Sequence, residues 1–230
     1  MKALAFLLSI ITGALLFLVL NFYAFAANGL VASYSFNENS GSTVADSSGN
    51  GNNGSLANTA WDANGKFGSA LSFNGSNSMV TVADSNSLDL TGGMTLEAWV
   101  KPTTLTSWRT IILKEKPSLA YALYANTGPN NKPSAEMYGT SALTGPAQLP
   151  VNVWSHVSAT YDGTTLNLYI NGTLVSSKAT TITIPVSSNP LRIGGNTIWG
   201  EYFNGLIDEV RIYNRALLPS EIQSDMNSGI

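Results

Sequence analysis

The clearest structural signal in this sequence is a series of three short strands joined by two-residue turns. The strands are predicted at residues 154–161, 166–170 and 173–175. Asp162-Gly163 and Asn171-Gly172 separate them, and both dipeptides readily adopt the positive φ angles that tight hairpin turns require. This region therefore predicts an antiparallel three-stranded meander.

Strand patterns recur along the rest of the chain, whereas helical periodicity is almost missing. Apolar or alternating runs predict further strands at 30–36, 70–73, 79–82, 94–100, 110–113, 119–124, 191–193 and 206–213. Asn74-Gly75 predicts a hairpin turn between two of these strands. Pro219 can begin a short C-terminal helix, whose positive end suits Glu221. The expected fold is all-β, a two-sheet antiparallel β-sandwich with a short C-terminal helix.

One carboxylate interrupts the apolar pattern of the last predicted strand. With the period of two that a strand imposes, Asp208 shares a face with Leu206, Val210 and Ile212. A charge in such a row is costly unless it is paired, hydrogen-bonded or bound to a metal. Asp208 is therefore expected to have a specific partner.

The N-terminus resembles an export signal. Lys2 precedes an apolar run over 3–20, and an Ala-x-Ala site follows at 24–26. This pattern predicts a signal peptide over residues 1–26 and one domain over 27–230. The apolar run is nearly long enough to span a bilayer, so an uncleaved anchor is the alternative. In either case the domain is expected to leave the cytoplasm, either secreted or held at the cell surface. If the signal is cleaved, no membrane span is expected in the remaining chain.

Composition excludes some classes of protein. The chain has no Cys and a net charge of −3, with no cluster of Lys or Arg. Nucleic acid is therefore an unexpected partner. A secreted domain without disulfides depends on a sizeable core or a bound metal, and 230 residues with 44% hydrophobic content permit the core.

Five sequence blocks resemble, in order, the laminin-G-like domains of the concanavalin A-like lectin/glucanase superfamily. The blocks are residues 46–54, 67–75, 95–102, 154–163 and 203–217. The resemblance implies a jelly roll, and often a structural calcium near the join of the first and last strands. It also implies a carbohydrate ligand or, in some relatives, glycosidase activity.

Asp208 and an Asx-rich loop form the candidate calcium site. Asp46, Asn50 and Asn52 offer oxygen atoms on a Gly-containing loop, and calcium requires six to eight such ligands. If the terminal strands are neighbours, this loop can reach Asp208. The alternative is that Asp208 caps backbone N–H groups and that Asp46 begins an Asx-turn.

Two loop-like segments supply the candidate ligand site. Trp108 and Arg109 lie in one of them, and Trp199 and Tyr202 lie in the other. Sugar rings stack on exposed aromatic rings, while sugar hydroxyls form hydrogen bonds with polar side chains. The alternative is that these rings only cover the edges of the sandwich.

No catalytic residue is predicted. The superfamily's glycosidases set acidic residues two and four apart on one strand face, and this triplet is missing from the sequence. Glu97 is alone on its strand, and Glu209 is predicted to point away from Asp208. The single histidine, His156, falls within a strand and is interpreted as a structural residue.

These observations favour a secreted, non-catalytic carbohydrate-binding domain with a structural calcium, whose partner is a glycan or polysaccharide. Two alternatives remain open. One is a cell-surface adhesion domain that binds protein, and the other is a glycan-cleaving enzyme of the glucanase type. A superfold alone does not choose among them, because it hosts many activities.

Overall fold

The computed structural model describes residues 28–128 and 131–230. In chain order the strands are β1 (Leu30–Tyr34), β2 (Thr43–Val44), β3 (Gly54–Ala57), β4 (Ala60–Asp62), β5 (Ala70–Asn74), β6 (Met79–Val82), β7 (Met94–Pro102), β8 (Arg109–Glu115), β9 (Leu119–Asn126), β10 (Ser134–Met137), β11 (Leu143–Thr144), β12 (Ser155–Tyr161), β13 (Thr165–Ile170), β14 (Thr173–Ala179), β15 (Leu191–Ile193) and β16 (Asn204–Tyr213). A 3-10 turn spans Asn86–Leu88, and helix α1 spans Pro219–Met226.

The strands form two antiparallel sheets. The first has the order β14-β13-β12-β7-β16-β5-β4, with β1 also paired to β16, and the second has the order β11-β10-β9-β8-β15-β6-β3-β2. Their facing sides share one hydrophobic core, to which the first sheet contributes Leu96 and Val210 and the second contributes Ile112 and Leu123. Each such side chain stabilises the fold by about 1.5–3 kcal/mol when it is fully buried. The predicted jelly-roll sandwich is confirmed.

The predicted meander is also confirmed. β12 pairs with β13 and β13 pairs with β14, in antiparallel register. Gly163 and Gly172 have φ angles of +92° and +71°, which shows why glycine follows Asp and Asn in these two turns.

The predicted hairpin at Asn74-Gly75 is wrong. β5 pairs with β4 and β16, whereas β6 pairs with β3 and β15. The chain therefore crosses from one sheet to the other after Asn74. The Asn74 side chain accepts hydrogen bonds from the N–H groups of Ser76 and Asn77 (2.9 and 3.0 Å) and closes this connection. A local turn signal does not reveal which strand the next one will join.

The predicted faces of β16 are right for Val210 and Ile212 but wrong for Leu206 and Asp208, because the strand contains a bulge. Ile207 and Ile212 both join the core, although residues an odd number of positions apart point to opposite sides of a regular strand. The register shifts between Asp208 and Arg211, and Glu209 adopts a φ of +52°. This extra residue reverses the alternation. Asp208 consequently lies on the outer face of the first sheet and not in the apolar row.

Helix α1 begins at Pro219, as predicted. Glu221 accepts a hydrogen bond from the Leu218 N–H (2.7 Å) and pairs with Arg215 (2.7 Å). The Tyr213 hydroxyl donates to the Asp225 carboxylate (2.6 Å). These contacts hold the helix against β16.

The N-terminal prediction is not addressed by this fold. The predicted signal peptide lies outside the described residues. Within the described part of the chain, no helix combines the length and the apolar character needed to cross a membrane.

Candidate functional site

A cleft of about 280 Å³ opens on the outer face of the second sheet. Its lining combines aromatic rings with carboxylates: Trp108, Leu119, Tyr124, Glu136, Trp199 and Glu201. We call it the aromatic cleft. β9 and β10 form its floor, and the 194–203 loop between β15 and β16 closes one side. The site therefore depends on segments that are distant in sequence.

Trp108 precedes β8 and packs against β9. Its ring meets that of Tyr124 edge to face, with centroids 5.0 Å apart and an interplanar angle of 72°. Gly128 lies against the indole, since a Cβ there would be 2.8 Å from the Trp108 Nε1. Trp108 thus has a defined position while part of its surface stays accessible.

A buried amide positions the other side of the cleft. Asn196 donates hydrogen bonds to the Thr110 hydroxyl (2.9 Å) and the Glu201 carboxylate (2.9 Å), and it accepts one from the Trp199 N–H (2.8 Å). Asn196 therefore ties the 194–203 loop to β8. Trp199 remains 48% exposed and can contact a ligand.

A second anchor supports the same loop. Glu115 accepts hydrogen bonds from the Thr197 N–H (3.0 Å) and hydroxyl (2.8 Å), and it pairs with Arg192 (3.1 Å). Burial acts to raise the pKa of Glu115, but the hydrogen bond from Arg192 and those from the Thr197 N–H and hydroxyl hold this pKa below its usual value. This anionic anchor fixes the loop at neutral pH.

The cleft lining contains two carboxylates, Glu136 and Glu201, which were not among the candidate residues from the sequence. Burial raises the pKa of Glu136, and the negative charge of Glu201 raises it further, against an opposing effect of Lys178. Burial also raises the pKa of Glu201, while Asn196 and Tyr124 oppose that shift. In the sequence, Glu201 stands between the candidate ligand residues Trp199 and Tyr202, which is the only local sign that it belongs to a site. Glu136 has no such neighbours.

The four predicted ligand residues separate into two pairs. Trp108 and Trp199 both line the aromatic cleft. Arg109 instead donates to the backbone carbonyls of Tyr202 (2.6 Å) and Gly75 (3.4 Å). The Tyr202 ring lies against the backbone of Gly195, where a Cβ would be 2.6 Å from it. Arg109 and Tyr202 therefore lie outside the cleft lining, where they contact the backbone of the 194–203 loop.

The predicted calcium ligands Asp208 and Asp46 accept hydrogen bonds from different segments of the chain. Asp208 accepts hydrogen bonds from the N–H groups of Lys66 (2.7 Å), Phe67 (3.1 Å) and Glu209 (2.8 Å). No hydrogen bond among the described residues links it to Asp46. The Asp208 carboxylate therefore caps backbone N–H groups, as the alternative to calcium predicted.

The Asp46 loop is closed by hydrogen bonds. The Asp46 carboxylate accepts from Ser33 N–H and Ser48 N–H at one oxygen, and from the Ser48 hydroxyl and Asn52 N–H at the other (2.8–2.9 Å). Asn50 and Asn52 direct their amide nitrogens at backbone carbonyls. Across the described ranges, no group of three or more Asp, Glu or His is arranged to hold a metal. The Asp46 carboxylate is therefore occupied by N–H and O–H donors, and calcium binding stays a prediction.

Asp46→Ala is expected to lower the free energy of unfolding by about 2–3 kcal/mol, because it leaves N–H groups of β1 and of the loop without an acceptor. Asp162→Ala is the matched control, since Asp162 accepts similar bonds in an exposed turn and should cost less than about 1 kcal/mol. Urea unfolding with and without EDTA measures both. An EDTA-sensitive melt in the parent that disappears in Asp46→Ala would contradict this account and establish a metal.

The buried acid and base on the other sheet lie away from the cleft. His156 Nε2 is 3.9 Å from Glu97 Oε2, and both side chains are fully buried. Burial lowers the pKa of His156 to about 3, so the imidazole is neutral at physiological pH. Burial, followed by the neighbouring Asp225, raises the pKa of Glu97. Solvent does not reach this pair, as expected for a structural histidine.

Comparison with solved structures shows the same fold. Domain 4 of AbnA, an extracellular arabinanase from Geobacillus stearothermophilus solved with arabinotriose, is 28% identical with a TM-score of 0.71, over 86% of this chain and 98% of that domain. The binding domain of botulinum neurotoxin DC, solved with SialylT, is 15% identical with a TM-score of 0.65, over 88% of this chain and 52% of that chain.

An enzyme shares the fold as well. A Trypanosoma rangeli sialidase is 18% identical with a TM-score of 0.66, over 86% of this chain but only 32% of the sialidase chain. The likeness therefore covers one part of that enzyme.

Sequence comparison gives a more specific assignment. No curated protein matched the chain. A family model, Laminin_G_3, matches residues 74–223, which is more than half of the sequence. This protein therefore belongs to the laminin-G-like family of the Concanavalin A-like lectin/glucanases superfamily.

Proposed function

We propose that this protein is a secreted, non-catalytic carbohydrate-binding domain that holds a glycan in the aromatic cleft. The observation that carries the proposal is that Trp108 and Trp199, from distant parts of the chain, line one cleft together with two carboxylates. Indole rings can stack on the apolar faces of sugars, and carboxylates accept hydrogen bonds from sugar hydroxyls. The arabinotriose-bound neighbour supports this choice of ligand class.

Secretion rests on the N-terminal sequence. Lys2, the apolar run and the Ala-x-Ala site support export and cleavage after Ala26. N-terminal sequencing of the protein recovered from a culture medium tests this part of the proposal. A mature chain that begins at residue 27 is the expected result, and a membrane-bound chain that retains Met1 would favour the anchor.

Trp199→Ala is expected to weaken glycan binding by about 1–3 kcal/mol, or about 5- to 150-fold in Kd, because it removes a stacking surface. Trp108→Ala should have a similar effect. Calorimetry with an oligosaccharide found on a glycan array measures both variants. The fold should survive in Trp199→Ala, because the exposed ring lies outside the core.

Tyr138→Ala is the matched control for this experiment. Tyr138 is 46% exposed but lies outside the cleft, so its loss should leave the Kd unchanged. If all three variants bind a confirmed glycan as tightly as the parent, the aromatic cleft is not the site. If no glycan binds across a broad array with calcium present, the adhesion alternative replaces the carbohydrate-binding proposal.

A glycan-cleaving enzyme is the second candidate function. Glu136 and Glu201 line the same cleft, and glycosidases act through two carboxylates that flank the scissile bond. Prolonged incubation with a bound oligosaccharide, followed by measurement of new reducing ends, separates the two functions. Release of product that Glu136→Gln or Glu201→Gln abolishes would establish the enzyme.

A further inference from the structure

The charges of the aromatic cleft are of one sign. Glu136 and Glu201 belong to its lining, whereas no Lys or Arg does among the described residues. Lys178 is the cation that acts on the pKa of Glu136. It lowers this pKa, but burial raises it by more. A ligand that enters the cleft therefore meets two carboxylates and aromatic faces.

The other cations around the cleft have partners that the structure identifies. Arg192 pairs with Glu115, and Arg109 donates to two backbone carbonyls. Lys116 lies over the Tyr138 ring, 4.3 Å from its centroid. None of these groups belongs to the cleft lining, so none is placed to compensate an anionic ligand there.

Glu201 has a fixed orientation. Asn196 donates to its Oε2 (2.9 Å), and the Tyr124 hydroxyl interacts with the same side chain. Asn196 is itself fully buried and bound to Thr110 on the sheet. The carboxylate is therefore a preorganised hydrogen-bond acceptor for groups that donate, such as hydroxyls.

We propose that the aromatic cleft selects neutral, hydroxyl-rich sugars and rejects sugars that carry a carboxylate. This inference rests on the proposed carbohydrate-binding function and adds the ligand class. Neutral sugars supply O–H donors to both glutamates and apolar ring faces to the indoles. A sugar carboxylate supplies acceptors only, and like charges repel more strongly in a partly desolvated cleft than in bulk water.

The selectivity is expected to depend on pH and salt. Glu136 and Glu201 line the same cleft, where Lys178 acts on the pKa of the first and Asn196 and Tyr124 act on the pKa of the second. Burial raises the pKa of both carboxyls, so both gain protons at higher pH than an exposed glutamate does. Discrimination against acidic sugars should therefore be present at pH 7 and decrease as the pH falls toward 4.5. High salt should also reduce it.

A glycan array of matched pairs tests the inference. Each neutral oligosaccharide is paired with a form that carries carboxylate, for example the methyl ester of 3′-sialyllactose with 3′-sialyllactose and methyl-esterified trigalacturonate with trigalacturonate. At pH 7 and low salt, we expect the neutral member to bind at least about tenfold more tightly, which corresponds to about 1.4 kcal/mol. Equal or tighter binding of the acidic members would overturn the inference.

Four variants identify the cause of the selectivity. Glu136→Gln and Glu201→Gln should each reduce the neutral-to-acidic ratio severalfold, because they remove charge at nearly constant shape. Trp199→Ala should weaken both members by a similar factor and leave the ratio unchanged. Glu38→Gln, at an exposed position outside the cleft lining, should leave both affinities unchanged. If neither Glu136→Gln nor Glu201→Gln changes the neutral-to-acidic ratio, the inference is overturned.

Failure of the inference and failure of the proposed function give different results. If acidic sugars bind well and Trp199→Ala weakens them, the cleft binds glycans and only the charge selectivity is wrong. If no member of any pair binds, both the proposed function and this inference are overturned.

Discussion

Replacing Gly205 by alanine is expected to lower the free energy of unfolding by about 3–5 kcal/mol, because a side chain there strains the backbone and separates two central strands. Gly205 has a φ of +135°, a conformation that is essentially restricted to glycine. A Cβ would lie 2.2 Å from the carbonyl oxygen of Lys101 and 2.9 Å from the Cα of Pro102. Both atoms belong to the backbone of β7, which cannot move aside as a side chain can.

Thermal unfolding measures this effect. For a domain of this size, 1 kcal/mol shifts the Tm by about 2–4 °C, so we expect a decrease of about 6–20 °C. Gly92→Ala is the matched control, since no heavy atom lies within 4 Å of a Cβ there, and its Tm should be unchanged. A Gly205→Ala variant with the parental Tm would show that β7 and β16 tolerate a wider separation.

Asp208→Ala is expected to lower the free energy of unfolding by about 3–5 kcal/mol, because it leaves three N–H donors without their acceptor. These donors belong to Lys66, Phe67 and Glu209. Asp208 is fully buried, and water replaces its oxygens only if the surrounding loop opens. The carboxylate therefore joins the 65–68 turn to the bulge of β16.

Urea unfolding of two further variants checks this explanation. Asp208→Asn keeps one carbonyl acceptor and should lie between the parent and Asp208→Ala. Asp62→Ala removes an aspartate that accepts two hydrogen bonds from Asn64 in an exposed turn, and it should cost less than about 1 kcal/mol. Equal losses for Asp62→Ala and Asp208→Ala would contradict the importance of burial.

The sequence by itself determined the features that depend on neighbouring residues. The 155–179 meander formed as expected, because alternation sets which side chains face the core, and Asn-Gly and Asp-Gly set the turns. Helix α1 began at Pro219 for an equally local reason, since Glu221 bonds the N–H of Leu218. Each of these elements is specified within a few residues.

The tertiary structure decided the direction of Asp208 and the path after Asn74. The bulge at Glu209 places a charged residue at a positive φ, and a strict period of two cannot show where an extra residue enters a strand. Likewise, Asn74-Gly75 specifies a turn but not the sheet that β6 joins. Pairing between distant strands settles both features.

The aromatic cleft shows the same division. The sequence identified Trp108 and Trp199 as rings in loop-like segments, yet it did not show that they line one cleft, nor that Glu136 and Glu201 line it as well. β10 carries Glu136, and the 194–203 loop carries Glu201. Strand pairing in the second sheet and the hydrogen bond from Asn196 to Thr110 hold these segments together. Residue type and turn chemistry act locally, whereas a binding site is a set of distances that long-range strand pairing creates.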